Sequence, residues 1–415
     1  MNPINPDRDI LRQLADEWME IAALPVQQET IAAWKALNGL KAARPMVYIK
    51  EIPWHEMDVD GELTLQCADE FNRKVEQTMR RELYRWKHVR GDMVLEPFYD
   101  SPVVVQSSGF GLEVQEDILK VDERNTIVSH HYRTQIHSLK DVEKLVNPEI
   151  SVDQVATDRN FNRLSELFGD ILPVQRCGIR RTAWSPWDRL VTWWGTEPAL
   201  IALVEQPELA YALMQRFLEA MLSMLDQYES LNLLDLPGGS DTGSGGPGFT
   251  DELPQPGYDP AHIRAIDQWG CATSQIFSTV SARTHAEFAV RYESQWLARF
   301  GLNYYGCCEP LDGKVDILRA IPRLRKISMS PWVDIDRAAR KLGSDFVYSY
   351  KPNPAMVAGE GWDAAQIRRD LRHFFDVTRG CQVEVILKDI STVRYQPRRL
   401  WDFAEIAQQE AASYA

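Results

Sequence analysis

At 415 residues, with 44% hydrophobic and 26% charged side chains, the chain has the composition of an ordinary globular protein and excludes a fibrous repeat or long disorder. Its formal charge of −14 argues against a nucleic-acid partner, because binding phosphates requires clustered Lys and Arg. The opening MNPINPDRDI lacks a basic segment followed by an apolar one, and no apolar run approaches the ~18 residues of a membrane span. The expectation is a cytoplasmic enzyme with no membrane contact. Six cysteines, at 67, 177, 271, 307, 308 and 381, form neither a disulfide framework nor CxxC pairs, which fits a reducing compartment.

Residues 7 to 44 read as two amphipathic helices, with Ile10, Leu11, Leu14 and Trp18 on one face of the first and Ile31, Trp34 and Leu37 on one face of the second. They make an N-terminal helical arm, 1–44, before a main domain, 45–415. The run MVYIKEI is a strand, and residues 62 to 88 carry Phe71, Val75, Met79 and Leu83 at helical spacing. VVVQSSGFG and NTIVSHHYRTQI read as an antiparallel strand excursion. From ILPVQRCGI onward, LNLLDL, LNYYGCCE, KISMS, FVYSY and VEVILKD read as strands, each preceded by an amphipathic helix. Repeated βα units imply a parallel sheet, and this many favour an α/β fold closed as a (β/α)8 TIM barrel over a doubly wound sheet. No GxGxxG supports the latter.

One segment breaks the rhythm. PGGSDTGSGGPGFTDELPQPGYDP, 237 to 260, is long and rich in Gly and Pro, as functional loops at a barrel mouth often are. Barrel chemistry gathers at the C-terminal ends of strands, so polar residues closing apolar strands are the candidates. They are Gly239, Ser240 and Asp241; Cys307, Cys308 and Glu309; Ser328 and Ser330; Ser349 and Lys351; and Lys388 with Asp389. Two thiolates beside carboxylates suit Zn2+, and the set Cys307, Cys308 and Asp389 is the expected metal site; a pair of buried cysteines without metal is the alternative. Strand alternation puts Tyr305, Cys307 and Glu309 on one face and Tyr304 and Cys308 on the other. Among the histidines His285 is the one candidate. Trp184, Trp187, Trp193 and Trp194, with Tyr304 and Tyr305, could wall a flat pocket; the alternative for the tryptophans is that they fill the core.

The segments WWGTEPALIALVEQPELAYALMQRFLEAM, LPGGSDTG, LNYYGCCEPLDGKVDILRAIPRLRKISMSPWVD and ILKDISTVRYQPRRLWDFAEIA resemble the uroporphyrinogen decarboxylase-like superfamily, in particular its corrinoid-dependent methyltransferase branch. The likeness covers most of the chain beyond residue 45. Where the decarboxylase carries an RPVWxMRQAGR segment, this chain reads RPMVYIKEIPWHE and keeps Arg44 and Pro45, which disfavours porphyrin decarboxylation. Zinc-dependent relatives carry His-x-Cys on one strand and Cys on the last; here Tyr305-Gly306-Cys307 and Asp389 stand in those places.

The resemblance implies transfer of a methyl group from a small methylated substrate, with a methoxylated aromatic preferred, to the Co(I) corrinoid (cobalamin) of a partner protein. In that reading Glu309, Asp389 and Lys388 serve catalysis. Gly239, Ser240, Asp241, Trp184, Trp187, Tyr305 and Lys351 face substrate or corrinoid. Alternatives are transfer from a methylcobalamin protein to tetrahydrofolate or a thiol, a decarboxylase, and a non-catalytic binding barrel. The helical arm is compatible with packing on its own barrel or on a second copy in a homodimer.

Overall fold

The computed structural model describes residues 6–41, 43–120 and 128–414. Seven strands make the central sheet: β1 (Met46–Ile49), β2 (Thr182–Trp184), β3 (Trp269–Ala272), β4 (Leu302–Tyr305), β5 (Leu324–Met329), β6 (Val347–Tyr350) and β7 (Gln382–Leu387). Their order is β1-β7-β6-β5-β4-β3-β2, and every neighbouring pair is parallel. The first strand therefore sits beside the last, as a wrapped βα fold requires, and all seven strands end on one side.

The sheet is barrel-like but is not closed into the expected eight-stranded ring among the described residues. LNLLDL contributes only a single bridge, Leu234 to Ile179. Asn232 takes a φ of 53°, which breaks the extended run the sequence suggested. The Val174–Cys177 strand pairs instead with Tyr99–Pro102 in a separate two-stranded ribbon. The excursion also differs from expectation, since Val105–Ser107 pairs with Ile150–Val152, and Ser129–Tyr132 with Glu116–Leu119. Residues 125–127 of the expected strand lie outside the described residues.

Side-chain alternation divides the strands into two environments. Val47, Ile49, Tyr305, Val385 and Leu387 point toward the helices and join the main core. Met46, Tyr48, Val347 and Ile386 point inward and meet Trp34 of the Pro25–Asn38 helix. The indole of Trp34 donates to the Asp92 carbonyl at 2.8 Å. The Pro6–Ala22 helix packs Leu11, Leu14 and Trp18 with Val75, Met79 and Leu83 of the Glu70–His88 helix. No helix among the described residues is long and apolar enough to cross a membrane.

The interior also holds charge. Lys326 and Glu384, both fully buried, pair at 2.8 Å, and Lys351 donates to the Tyr304 hydroxyl at 2.5 Å and to Ser349 Oγ at 2.6 Å. Burial works against the charge on Glu384, yet Lys326 and Lys351 hold its pKa below the ordinary carboxylate value. Burial lowers Lys351 to about 7. Such groups are tolerated inside only because each has a partner.

Candidate active site

At the C-terminal ends of the strands lies a cavity of about 230 Å³. Its walls come from both sides of the sheet: Lys50 and Glu51 after β1, Arg181, Ala183 and Ser185 along β2, Thr273 and Gln275 after β3, and Cys307 and Lys388 beyond β4 and β7. Gly243 and Ser244 of the glycine-rich loop, with Tyr304, complete it.

Cys307 reaches the cavity because of Gly306. That residue holds φ at +97°, and a Cβ there would come within 2.5 Å of Leu311 Cδ1 and 3.0 Å of Ser328 Cβ, so only glycine makes the turn. The turn interrupts strand alternation. Tyr304 and Cys307 consequently line the cavity, whereas Tyr305 faces away from it, which corrects the expectation that Tyr305, Cys307 and Glu309 share one face. The Cys307 amide donates to Glu309 Oε2 at 2.9 Å, and Thr273 Oγ1 donates to Glu309 Oε1 at 2.8 Å. Glu309 is thus buried and engaged at both oxygens, fastening the strand ends rather than facing a substrate.

The Lys388 ammonium lies 3.3 Å from Cys307 Sγ, 3.5 Å from Cys308 Sγ and 2.9 Å from Asp389 Oδ1. The two sulfurs are 3.5 Å apart and Cys308 Sγ is 3.3 Å from Asp389 Oδ2, so the one Cys308 proton has Cys307 and Asp389 as alternative acceptors. Asp389 holds a φ of 58°, with its amide donating to Glu51 Oε2 at 2.6 Å. A hydrogen bond from Cys308, aided by the charge of Lys388 and opposed by burial, lowers the Cys307 thiol to about 7. The same pairing, together with burial, pushes Cys308 far up. One thiolate and one thiol, clamped by an ammonium, is the resulting state near neutral pH.

Zinc does not fit this arrangement. Lys388 Nζ is bonded to both sulfurs and to Asp389, the position a cation shared by those donors would take. Among the described residues, no group of three or more His, Cys, Asp or Glu is arranged to hold a metal ion.

The remaining sequence candidates fall in several places. Asp241 bonds Lys50 at 2.7 Å at the edge of the cavity. Gly239 lines a separate recess of about 70 Å³ with Tyr48 and Glu96, and Ser240 is not on the cavity wall; its carbonyl accepts from the Gly248 amide. Lys351 lies buried beneath Tyr304. Trp184 and Trp187 are buried in the helix-facing core with Trp193 and Trp194; Trp187 donates to the Phe288 carbonyl at 2.9 Å. The expected aromatic wall is therefore core packing, and among the described residues Tyr304 is the one aromatic side chain on the cavity surface. The glycine-rich loop is no open lid. Residues 244 to 249 are buried, Ser244 bonds Tyr304 at 2.9 Å, and a Cβ at Gly243 would strike the Tyr304 ring at 2.6 Å.

His285 sits behind β4. Its Nε2 lies 2.6 Å from the Tyr305 hydroxyl, which is also 2.6 Å from Glu293 Oε2; Ser274 donates to Glu293 Oε1 at 2.8 Å. Burial raises Glu293 to about 8 and lowers His285 to about 3. Both are neutral near pH 7.

The sequence reading missed Lys50, Glu51, Arg181, Ser185, Thr273 and Gln275. Lys50 and Glu51 were findable, since they are polar residues closing the apolar run MVYI. The others flank β2 or follow β3, strands three and four residues long, too short to leave a pattern.

The fold is similar to that of a methyltransferase from Methanosarcina mazei. The match has a TM-score of 0.51 at 9% identity and covers 92% of this chain and 98% of that one. At this identity the likeness is one of fold. No family model matches the sequence, and no curated protein matches it.

Proposed function

We propose that the chain transfers a methyl group from a small methylated substrate, held in the cavity at the strand ends, to the Co(I) corrinoid of a partner protein. The observation that carries this reading is the Lys388–Cys307 pair in the wall of an open cavity. The fold likeness to a methyltransferase and the sequence resemblance point the same way.

Removing a methyl group as the transferred carbon leaves an electron pair on the atom it departs. That atom becomes anionic in the transition state, and a fixed cation beside it lowers the barrier. Lys388 is suited to this. Burial disfavours its charge, but the neighbouring Cys307, Cys308 and Asp389 raise its pKa well above the ordinary lysine value. It stays charged and acts by electrostatics, and the leaving oxygen takes its proton from solvent at the open mouth of the cavity. Asp389 and Glu51 hold the ammonium end in place. The cobalt supplies the electron pair of the new bond, and the methyl group arrives on the partner.

A one-ring methyl ether suits the space. A cavity of about 230 Å³ is smaller than the roughly 300–1,000 Å³ of drug-sized sites, and Tyr304 with Ala183 and Ala272 gives it an apolar side. The test is to mix the protein with reduced corrinoid and a panel of small methyl ethers, thioethers and methylamines, and to follow the Co(I) absorbance. Conversion to methylcobalamin that Lys388→Met abolishes supports the reading; no conversion with any donor counts against it.

A further inference from the structure

We infer that the ligand of this cavity carries an anionic group, a carboxylate or similar oxyanion, and that Arg181 is the residue that binds it. Arg181, Ala183 and Ser185 alternate through β2 and its two flanking positions, and all three line the cavity, with Arg181 exposed to it, as one face of an extended segment should. The neighbouring Arg180 faces the other way and is fully engaged, at 2.5 Å from Asp100 Oδ2 and 3.3 Å from Asp235 Oδ2. Arg181 has no hydrogen bond or ion pair with any described residue, and the Ser185 hydroxyl has none either.

The other cations of the wall are spoken for. Lys50 is held by Asp241 at 2.7 Å and by the Gly245 carbonyl at 3.0 Å, and Lys388 by the two sulfurs and Asp389. Asp241, Asp389 and the Cys307 thiolate balance those two lysines, which leaves Arg181 as the cation of the lining without a bonded anion among the described residues. A free guanidinium offers a planar donor fork that matches a carboxylate in two hydrogen bonds, with the Ser185 hydroxyl beside it on the same strand face.

That this anion is the methyl donor rests on the proposed function; its charge does not. The test is therefore a binding measurement without corrinoid. Isothermal titration compares 4-methoxybenzoate, methoxyacetate and uncharged methoxybenzene on the wild type, Arg181→Met and Arg181→Lys, with unfolding curves to confirm that each variant folds. The inference predicts that 4-methoxybenzoate binds the wild type at least tenfold more tightly than methoxybenzene. Arg181→Met should weaken it by on the order of ten- to a hundredfold, with Arg181→Lys recovering part and methoxybenzene indifferent to both. Equal affinities in wild type and Arg181→Met, or no binding of either anion, would overturn it. Anion binding that depends on Arg181 without methyl transfer to Co(I) sinks the proposed function and leaves this inference standing; methyl transfer unaffected by Arg181→Met does the reverse.

Discussion

Tyr304 and Tyr305 are consecutive residues of one buried strand, yet they belong to different environments. Tyr304 faces the interior, bonded to Lys351, Ser244 and Ser349, and forms part of the cavity surface. Tyr305 faces the helices between His285 and Glu293, in a buried network of neutral groups. On the cavity side Lys388 is held charged by Cys307, Cys308 and Asp389, while beneath Tyr304 burial lowers Lys351 to about 7. On the helix side burial strips them away. Strand alternation alone produces this contrast, and it separates residues for chemistry from residues for stability.

The largest effect should come from Lys388. Lys388→Met is expected to lower methyl transfer by roughly 10²–10⁴-fold, the range for losing a positioned charge or proton donor. It should also move the thiolate of Cys307. In the wild type, alkylation of Cys307 by iodoacetamide, mapped by mass spectrometry, should rise with pH around a midpoint near 7, and the variant's midpoint should shift toward the ordinary thiol value. An unchanged midpoint would break the cavity half of the comparison. Lys388→Ala carries a second expectation: with the ammonium gone, Cys307, Cys308 and Asp389 are freed as donors, so zinc affinity measured by competition with a chromophoric chelator should increase over the wild type. Equal affinity would show that the ammonium does not govern the site.

Next in size is the helix side. Tyr305→Phe leaves Glu293 and His285 buried without their shared partner, a loss of about 1–3 kcal/mol read as a lower unfolding midpoint, with kcat for methyl transfer changed little. A large fall in kcat with normal stability would mean that the network takes part in the reaction. The smallest effect concerns pH. Glu293 has a folded pKa of about 8 against an ordinary 4.5, so the folded chain holds a proton that the unfolded chain has released between those values. Its contribution therefore falls as pH rises through that window. The unfolding midpoint of Glu293→Gln should decline by a few degrees less than that of the wild type between pH 5 and pH 8.

Much of the fold could be read from the sequence wherever an element was long enough to show its period. Strands β4 to β7 and the two arm helices have apolar runs that no other reading explains. β2 and β3 do not, being short and flanked by aromatics and glycine, and the residues they carry into the cavity were lost with them. Polar strand exits correctly brought together Cys307, Cys308, Lys388 and Asp389, groups separated by 81 positions between Cys308 and Asp389. The same reasoning misplaced Tyr305 because it treated Gly306 as a strand residue, when its φ of +97° ends the alternation. The tryptophans misled for a general reason: large apolar side chains are more often filler than wall, and nothing in spacing distinguishes the two.

The most direct measurement of the central claim is the absorbance of reduced corrinoid mixed with this protein and a methyl donor, for the wild type and for Lys388→Met side by side. The account predicts methylcobalamin formation by the wild type and its loss in the variant, with the variant's fold intact. Methylation proceeding at the same rate in both would contradict it.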